Sequence, residues 1–429
     1  MWAILVLAFL LRLPFLNQSL WLDESLEALA LQGHFGSLLS YSLSDFQPPL
    51  YHFILRAWTS LAGYSELSLR LPSLLAGLLT VYFVFKLGEL LGSRKVGFIA
   101  GLLAATNPLL IYYSQEGRTY MMTTLFVTMS FYFLLKKSSL AYLFSTLLAI
   151  WSSYLACLIV PLQLIYLVRQ KRFRLAIALT LVASSLLLWA PSFLRSLSIG
   201  LGDAASVPGW GRVVGGISVK ALALTWVKTV IGRISFSPSW LYGSVVLTLI
   251  LLHGHIARHA KKIHPLLLIW LATLALAGLI SLFVPAYSYT RLLFVVPAYL
   301  LILALGLARL HHSFTALIIV SQLIFLSIFW FSPRFHREDW RSLVSYLNTQ
   351  SGIVVLPSLK QDAPLLYYQL TLPLLASTDP LSSSTVFYIK YVEDAFDPEG
   401  RGRANLTNLG YTLTTQRVYT GIQMDVYEK

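Results

Sequence analysis

About eleven apolar stretches, each long enough or nearly long enough to cross a bilayer, divide this chain of 429 residues. They fall near 2–20, 67–90, 96–113, 119–135, 138–152, 154–168, 174–193, 238–253, 265–284, 292–308 and 313–332. The two runs flanking Trp151-Ser152-Ser153 are short and read as one broken helix or a tight hairpin, which shifts the count by one or two. Hydrophobic residues make up 57% of the chain and aromatic residues 14%, more than the surface of a soluble globule tolerates. The chain therefore reads as a polytopic membrane protein, mainly α. Its first run lacks the basic leader and small-residue cleavage site of a secretory signal and is expected to remain as a helix. The single cysteine, Cys157, supports neither a disulfide framework nor a thiolate metal site.

The net charge of +14 raises the question of nucleic acid, but its distribution answers it. Cations gather in the short loops Lys86 to Lys95, Lys136-Lys137, Arg169 to Arg174, Arg258 to Lys262 and Arg309 to His312, with Glu89 the one acid among them. That is the positive-inside pattern, which puts these loops in the cytoplasm and makes membrane lipids rather than nucleic acid the partner. The N-terminus is then inside. The loop after the first run, the turn Ser114-Gln115-Glu116-Gly117-Arg118 and everything past residue 332 are outside.

Two external loops are long. Residues 21–66 carry Asp23, Glu24, Glu27 and Asp45, with a Gln47-Pro48-Pro49-Leu50-Tyr51 break between amphipathic stretches. Residues 194–237 carry Arg195, Arg212, Lys220, Lys228 and Arg233 against Asp203, and long loops translocate largely regardless of charge. Within them, Gly216 to Ile231 reads as a helix, either lying at the membrane interface or packed on the protein. From Ser332 the composition changes. Asp339 to Leu347 put Trp340, Leu343, Val344 and Leu347 on one helical face, and β-like runs follow at 353–356, 385–391 and 417–427. The expected organisation is a membrane domain over 1–332 and a small extracytoplasmic α/β domain over 333–429.

Charged residues make up only 12% of the chain, so polar groups at the outer helix ends stand out. These are Arg12; Asp23 and Glu24; Arg70; Glu116 and Arg118; and Tyr287, Tyr289 and Arg291. Taken singly, each could belong to a solvated rim, and Arg12 could snorkel to the interface. Together, carboxylates and guanidiniums facing one side of a membrane suit displacement of a phosphate leaving group. Arginine neutralises the phosphodiester and the charge that grows as its ester bond breaks, and a carboxylate takes the proton of the incoming nucleophile. A lipid phosphate leaves as a stable anion, so no general acid is needed. Arginines supply the electrostatics without a metal; a divalent cation is compatible with this site but not required. The His253, His255, His259 and His264 set reads as part of an inside-loop cation cluster.

Leu11-Arg12-Leu13-Pro14, Leu20-Trp21-Leu22-Asp23-Glu24, Gln47-Pro48-Pro49-Leu50-Tyr51, Arg70-Leu71-Pro72-Ser73 and Tyr113-Ser114-Gln115-Glu116-Gly117-Arg118-Thr119-Tyr120 resemble the successive motifs of glycosyltransferase family 39. This group of GT-C architecture includes protein O-mannosyltransferases and the lipid A aminoarabinose transferase. His336-Arg337-Glu338-Asp339-Trp340-Arg341 is similar to the opening of the C-terminal domain in bacterial members. The resemblance implies a polyprenyl-phosphate-linked sugar as donor and inverting transfer to an acceptor lipid, glycan or protein outside the cytoplasmic membrane. It implies Asp23 as the catalytic carboxylate, Glu116 as the second acidic residue and Glu24 as a supporting one. Arg118, Arg291, Arg70, Gln47, His52 and Tyr289 become candidates for holding the donor and its phosphate. Gln47 stands where the aminoarabinose enzymes have a lysine, a departure that argues against that substrate.

Two other classes fit parts of the pattern. A transporter or flippase for a lipid-linked or sugar substrate would use intramembrane acids for coupling, but it would show repeated halves and midplane charges, neither of which is evident here. A non-catalytic assembly protein would tolerate neutralisation of Asp23 and Glu116.

Overall fold

The computed structural model describes residues 1–207, 216–261, 263–284 and 286–429, with backbone only for 203–206. Arg212, Lys262 and the side chain of Asp203 lie outside the described residues. The molecule is mostly helical, with a small C-terminal sheet.

Several helix ends follow from local sequence. Glu66–Leu91 opens on Ser65, whose hydroxyl accepts the Ser68 N–H, and stops at Gly92. Ser93 caps Arg94–Thr106 in the same way. The run expected over 96–113 does not stay straight. Asn107 is extended and its side chain accepts the Leu110 N–H, while Pro108, with no N–H to give, starts a second helix, Pro108–Ser114, at 59° to the first. Close packing of Glu66–Leu91 on Arg94–Thr106 depends on two glycines. A Cβ on Gly88 would sit 2.7 Å from the Gly97 Cα.

Four helices are long and apolar enough to cross a bilayer alone: Glu66–Leu91, Phe173–Gly202, Ser239–Arg258 and His312–Phe331. The bent pair makes a fifth. Tyr120–Leu135, Ser139–Ser152, Tyr154–Arg169, Pro265–Ile280 and Leu293–Leu307 are shorter apolar helices. Length alone thus accounts for five crossings among the described residues. The eleven read from the sequence would require the five shorter helices and the first helix, Trp2–Leu10, to cross as well.

The first run needs correction. Its helix, Trp2–Leu10, has nine residues, a rise of about 14 Å, which is half a hydrocarbon core. Arg12 ends it. Instead of snorkelling, its guanidinium is wholly buried and donates to the carbonyls of Ala8, Ala104 and Ala105 and to the Ser114 hydroxyl. It ties the chain start to the bend at Asn107.

The first long loop folds as three short helices, Leu22–Gln32, Phe35–Ser44 and Leu50–Ala62. In the second, Val219–Ile231 is capped by Ser218 and packs at its C-terminal end. Val227, Val230 and Ile231 are buried there, and the Trp226 indole donates to the Tyr299 hydroxyl, while Val219 and Leu222 are exposed.

After Phe331 a helix, Trp340–Leu347, buries the expected face of Trp340, Leu343, Val344 and Leu347, with Asp339 as its cap. Strands follow at β1 Ile353–Leu356, β2 Leu374–Ala376, β3 Thr385–Lys390, β4 Thr412–Tyr419 and β5 Ile422–Glu428. They form a mixed sheet in the order β2-β1-β3-β5-β4, with β1 parallel to both its neighbours and β5 antiparallel to β3 and β4. The expected strand over 417–427 is instead the join of β4 and β5. Gly421, at φ 70°, supplies the left-handed residue of the turn.

This sheet region grips the first loop. Tyr368 accepts the Leu20 N–H and donates to Glu66, Tyr367 donates to the Tyr64 carbonyl, and Arg341 pairs with Glu66 at 2.6 Å.

Candidate active site

A cavity of about 1630 Å³ opens where the first loop, the 115–119 turn, the second loop and the C-terminal region converge. Asp23, Asp45 and Glu116 line it with Arg118, Arg233, Arg291, Arg334 and Arg337. Its other walls are apolar, from residues such as Leu155, Val160, Leu187, Leu197, Leu224 and Val284. The volume exceeds the roughly 300–1,000 Å³ of ordinary small-ligand sites. An amphiphile with a charged head and a long tail fits such a division.

Asp23 and Glu24 begin the helix Leu22–Gln32 side by side and point into different surroundings. Asp23 is 36% exposed, and it lines the cavity, with the Arg118 guanidinium 3.9 Å away. Burial in the cavity wall pushes its carboxyl above the usual aspartate value, Asp45 and Glu24 push the same way, and Arg118 and Arg291 only partly oppose this. Glu24 is buried and fully used. Both carboxylate oxygens take bonds from Arg70, and one of them accepts the Gly117 N–H at 2.6 Å. Although burial alone would raise it, the Arg70 charge, then Arg337, and these hydrogen bonds hold Glu24 down to about 2.

Arg70 completes a structural core rather than a donor site. Besides Glu24 it donates to the carbonyls of Leu16, Gln18 and Ser19, is wholly buried and does not line the cavity. Its expected phosphate role is therefore corrected: its donors are already committed to the loop.

Arg118 sits among acids. It donates to Glu27 and to the Tyr41 hydroxyl, each at 3.3 Å, and lies 4.0 Å from Asp45. His52, a donor-binding candidate from the sequence, is behind this layer. It is buried and lines no part of the cavity, with Nδ1 2.6 Å from Glu27 and Nε2 3.1 Å from Asp45. Burial would lower its pKa, but the two carboxylates raise it to about 9, so His52 is an imidazolium that fixes the acids holding Arg118. Gln47 and Tyr289 do line the cavity.

Glu116 is buried at the cavity wall and bound to Arg337 at 3.1 Å. Burial raises its carboxyl above the ordinary range, with Arg337 opposing and Glu24 adding. Arg337 also donates to the Gln115 carbonyl and covers the Tyr112 ring at 4.8 Å. Arg233 also lies over that ring, at 4.7 Å, and donates to the Tyr112 hydroxyl at 2.9 Å.

Three cavity arginines, Arg233, Arg291 and Arg334, have no carboxylate partner among the described residues. Arg291 donates to the Ala286 carbonyl and Arg334 to that of Ser235. Reading by motif missed Arg233, Arg334 and Arg337 as site residues. The signals were there, in the excess positive charge of the second external loop and in the arginines at 334–341. Among the described residues no three His, Cys, Asp or Glu side chains are grouped to hold a metal ion.

Against known proteins, the family model described as dolichyl-phosphate-mannose-protein mannosyltransferase matches residues 46–194, roughly a third of the chain and beginning beyond Asp23. A search of curated proteins gave no match. Among solved structures, ArnT from Cupriavidus metallidurans bound to undecaprenyl phosphate is 11% identical, with 99% of this chain and 96% of that one covered and a TM-score of 0.62. The Archaeoglobus fulgidus oligosaccharyltransferase with zinc and sulfate is 11% identical over 97% of this chain and 73% of that one, at a TM-score of 0.55. The oligosaccharyltransferase AglB of the same organism, in complex with an inhibitory peptide and a dolichol-phosphate, is 13% identical over 89% and 61%, at 0.52. The chain thus has the GT-C fold of membrane glycosyltransferases, in agreement with the resemblance carried by its motifs.

Proposed function

We propose that this protein is a membrane glycosyltransferase that moves a sugar from a polyprenyl-phosphate carrier to an acceptor on the extracytoplasmic side, with inversion. One observation carries the reading. The cavity joins a carboxylate open to it, Asp23, to arginines with no ion-pair partner among the described residues and to apolar walls. The undecaprenyl phosphate of the ArnT structure and the dolichol-phosphate of the AglB structure support a lipid phosphate as the group held here.

In this reading the polyprenyl tail lies along the apolar wall, and Arg233, Arg291 and Arg334 hold the phosphate. As the sugar–phosphate bond breaks, those guanidiniums stabilise the departing anion. Asp23, in its carboxylate form and beside Arg118, takes the proton of the acceptor hydroxyl or amine as it attacks the anomeric carbon. Glu116, fixed by Arg337, borders the same space and orients the acceptor. Gln47 and Tyr289 contribute to the donor side. The membrane domain of 1–332 and the C-terminal unit of 333–429 act together, because Arg334 and Arg337 come from the second.

The test is release of polyprenyl phosphate from a panel of polyprenyl-phosphate sugars by purified protein in native membrane extract. The parent is expected to release it and label an acceptor, and Asp23→Asn to fall by about 10²–10⁴-fold while still binding the donor. A fully active, folded Asp23→Asn protein would sink the assignment of the base. Movement of intact donor across vesicles without its breakdown would make the protein a transporter.

A further inference from the structure

A second cavity, of about 720 Å³, lies away from the reaction site. Helices Ser139–Ser152 and Phe173–Ser184 pack on each other, and both reach the large cavity with their C-terminal ends, through Ile150 and Ala183. Their N-terminal ends form the second cavity. Phe173 and Ala183 are ten residues apart on one helix, so the two cavities are separated by about 15 Å along it.

The chemistry of this pocket is lopsided. Lys171, Arg172 and Arg174 line it together with Ser139 and the apolar side chains of Leu143, Phe173, Leu175 and Ala178. None of the three cations has a carboxylate partner among the described residues. The turn that gathers them has an unusual occupant. The Lys171 N–H donates to the Val168 carbonyl and the Arg172 N–H to that of Leu167, which closes the helix Ile159–Arg169 with a left-handed residue. That residue is Lys171, at φ 56°, where glycine is the unstrained choice. The neighbouring turn repeats the arrangement, with Lys137 at φ 60° two residues before Ser139. A cytoplasmic loop needs cations but does not need them in a concave site over apolar side chains.

We propose that this pocket binds the phosphate of an anionic phospholipid, its glycerol and acyl portion against Leu143 and Leu175, in the leaflet opposite the reaction cavity. The occupant is a lipid rather than a free anion because the cations border apolar side chains at a helix end. The site is independent of the transferase reading.

Full-length protein in detergent would be offered equal amounts of phosphatidylglycerol and phosphatidylcholine and the retained lipid counted by native mass spectrometry. The parent is expected to keep phosphatidylglycerol roughly 10-fold better, and Lys171→Gln/Arg172→Gln/Arg174→Gln to lose that preference. A control with the same charge change elsewhere, Arg94→Gln/Lys261→Gln/Arg309→Gln, is expected to keep it. Equal loss in the control, no loss in the triple variant, or no preference in the parent would overturn the proposal. So would complete displacement of the lipid by inorganic phosphate at the same concentration. If the triple variant fails to fold, Lys171→Gln and Arg174→Gln singly are each expected to show part of the loss, and retention of the full preference by both would overturn the site.

Discussion

Asp23 and Glu24 are adjacent in sequence and opposite in use. Glu24 closes a buried pair with Arg70, so Glu24→Gln leaves a guanidinium buried without its countercharge and is expected to cost about 3–5 kcal/mol, read as a lower thermal transition. Asp23→Asn leaves that pair intact and is expected to lower activity with the transition nearly unchanged. Titration separates a second pair of roles. His52, raised to about 9, stabilises the fold fully below its ordinary 6.5, and that contribution is lost as pH rises through about 9. Glu24, held near 2, contributes above 4.5 and loses its contribution as pH falls through about 2. Each is worth on the order of 3 kcal/mol. Thermal transitions of the parent should therefore fall between pH 6.5 and 9, and a His52→Asn protein should start lower and lose that slope. For Asp23 the sign concerns activity: a raised carboxyl moves the acid limb of kcat/KM above pH 3.8, and activity falls as pH drops through it.

Among the elements, the helices follow their apolar runs closely where capping residues mark the ends, as Ser65, Ser93 and Asn107 do. The first run shows the limit of that reading. Hydropathy extends it to residue 20, but the requirement to satisfy Arg12 inside the protein ends the helix at Leu10. Periodicity reads the chain locally and cannot foresee that two distant carbonyls, of Ala104 and Ala105, will be waiting. Helix contact is a tertiary matter too. Gly88 looks like an ordinary small residue in sequence, yet it sits against Gly97 with no room for a side chain. Gly88→Val is expected to destabilise the protein by about 1–3 kcal/mol in a thermal melt through overpacking, and Gly36→Val, where a Cβ meets open space, to shift it far less.

At the scale of the whole molecule, the site exists because two distant parts of the chain meet. Arg337 binds Glu116 across 221 residues of sequence, and Arg341 binds Glu66 across 275. Arg337→Gln leaves Glu116 without the larger of the two charges, Arg337 and Arg233, that oppose its raised pKa. It is expected to reduce transfer at least about 10-fold and to move the pH profile upward, with Arg337→Lys recovering part of both. Assay of donor breakdown across pH reads both effects. A role confined to stability would lower the melting transition and leave the pH profile where it was.

The sequence by itself determined that this is a helical membrane protein with a small C-terminal α/β region, because apolar run length and composition act locally and need no partner. It also supplied the motif acids and the candidate base, since carboxylates are rare in so apolar a chain. Only the tertiary structure decided which of those polar groups face the cavity. Arg70 and His52 turned out to be buried supports, while Arg233, Arg334 and Arg337 line the cavity. The reason is physical: a charge in a low-dielectric interior takes its role from the partners within a few ångströms of it, and those partners come from remote parts of the chain.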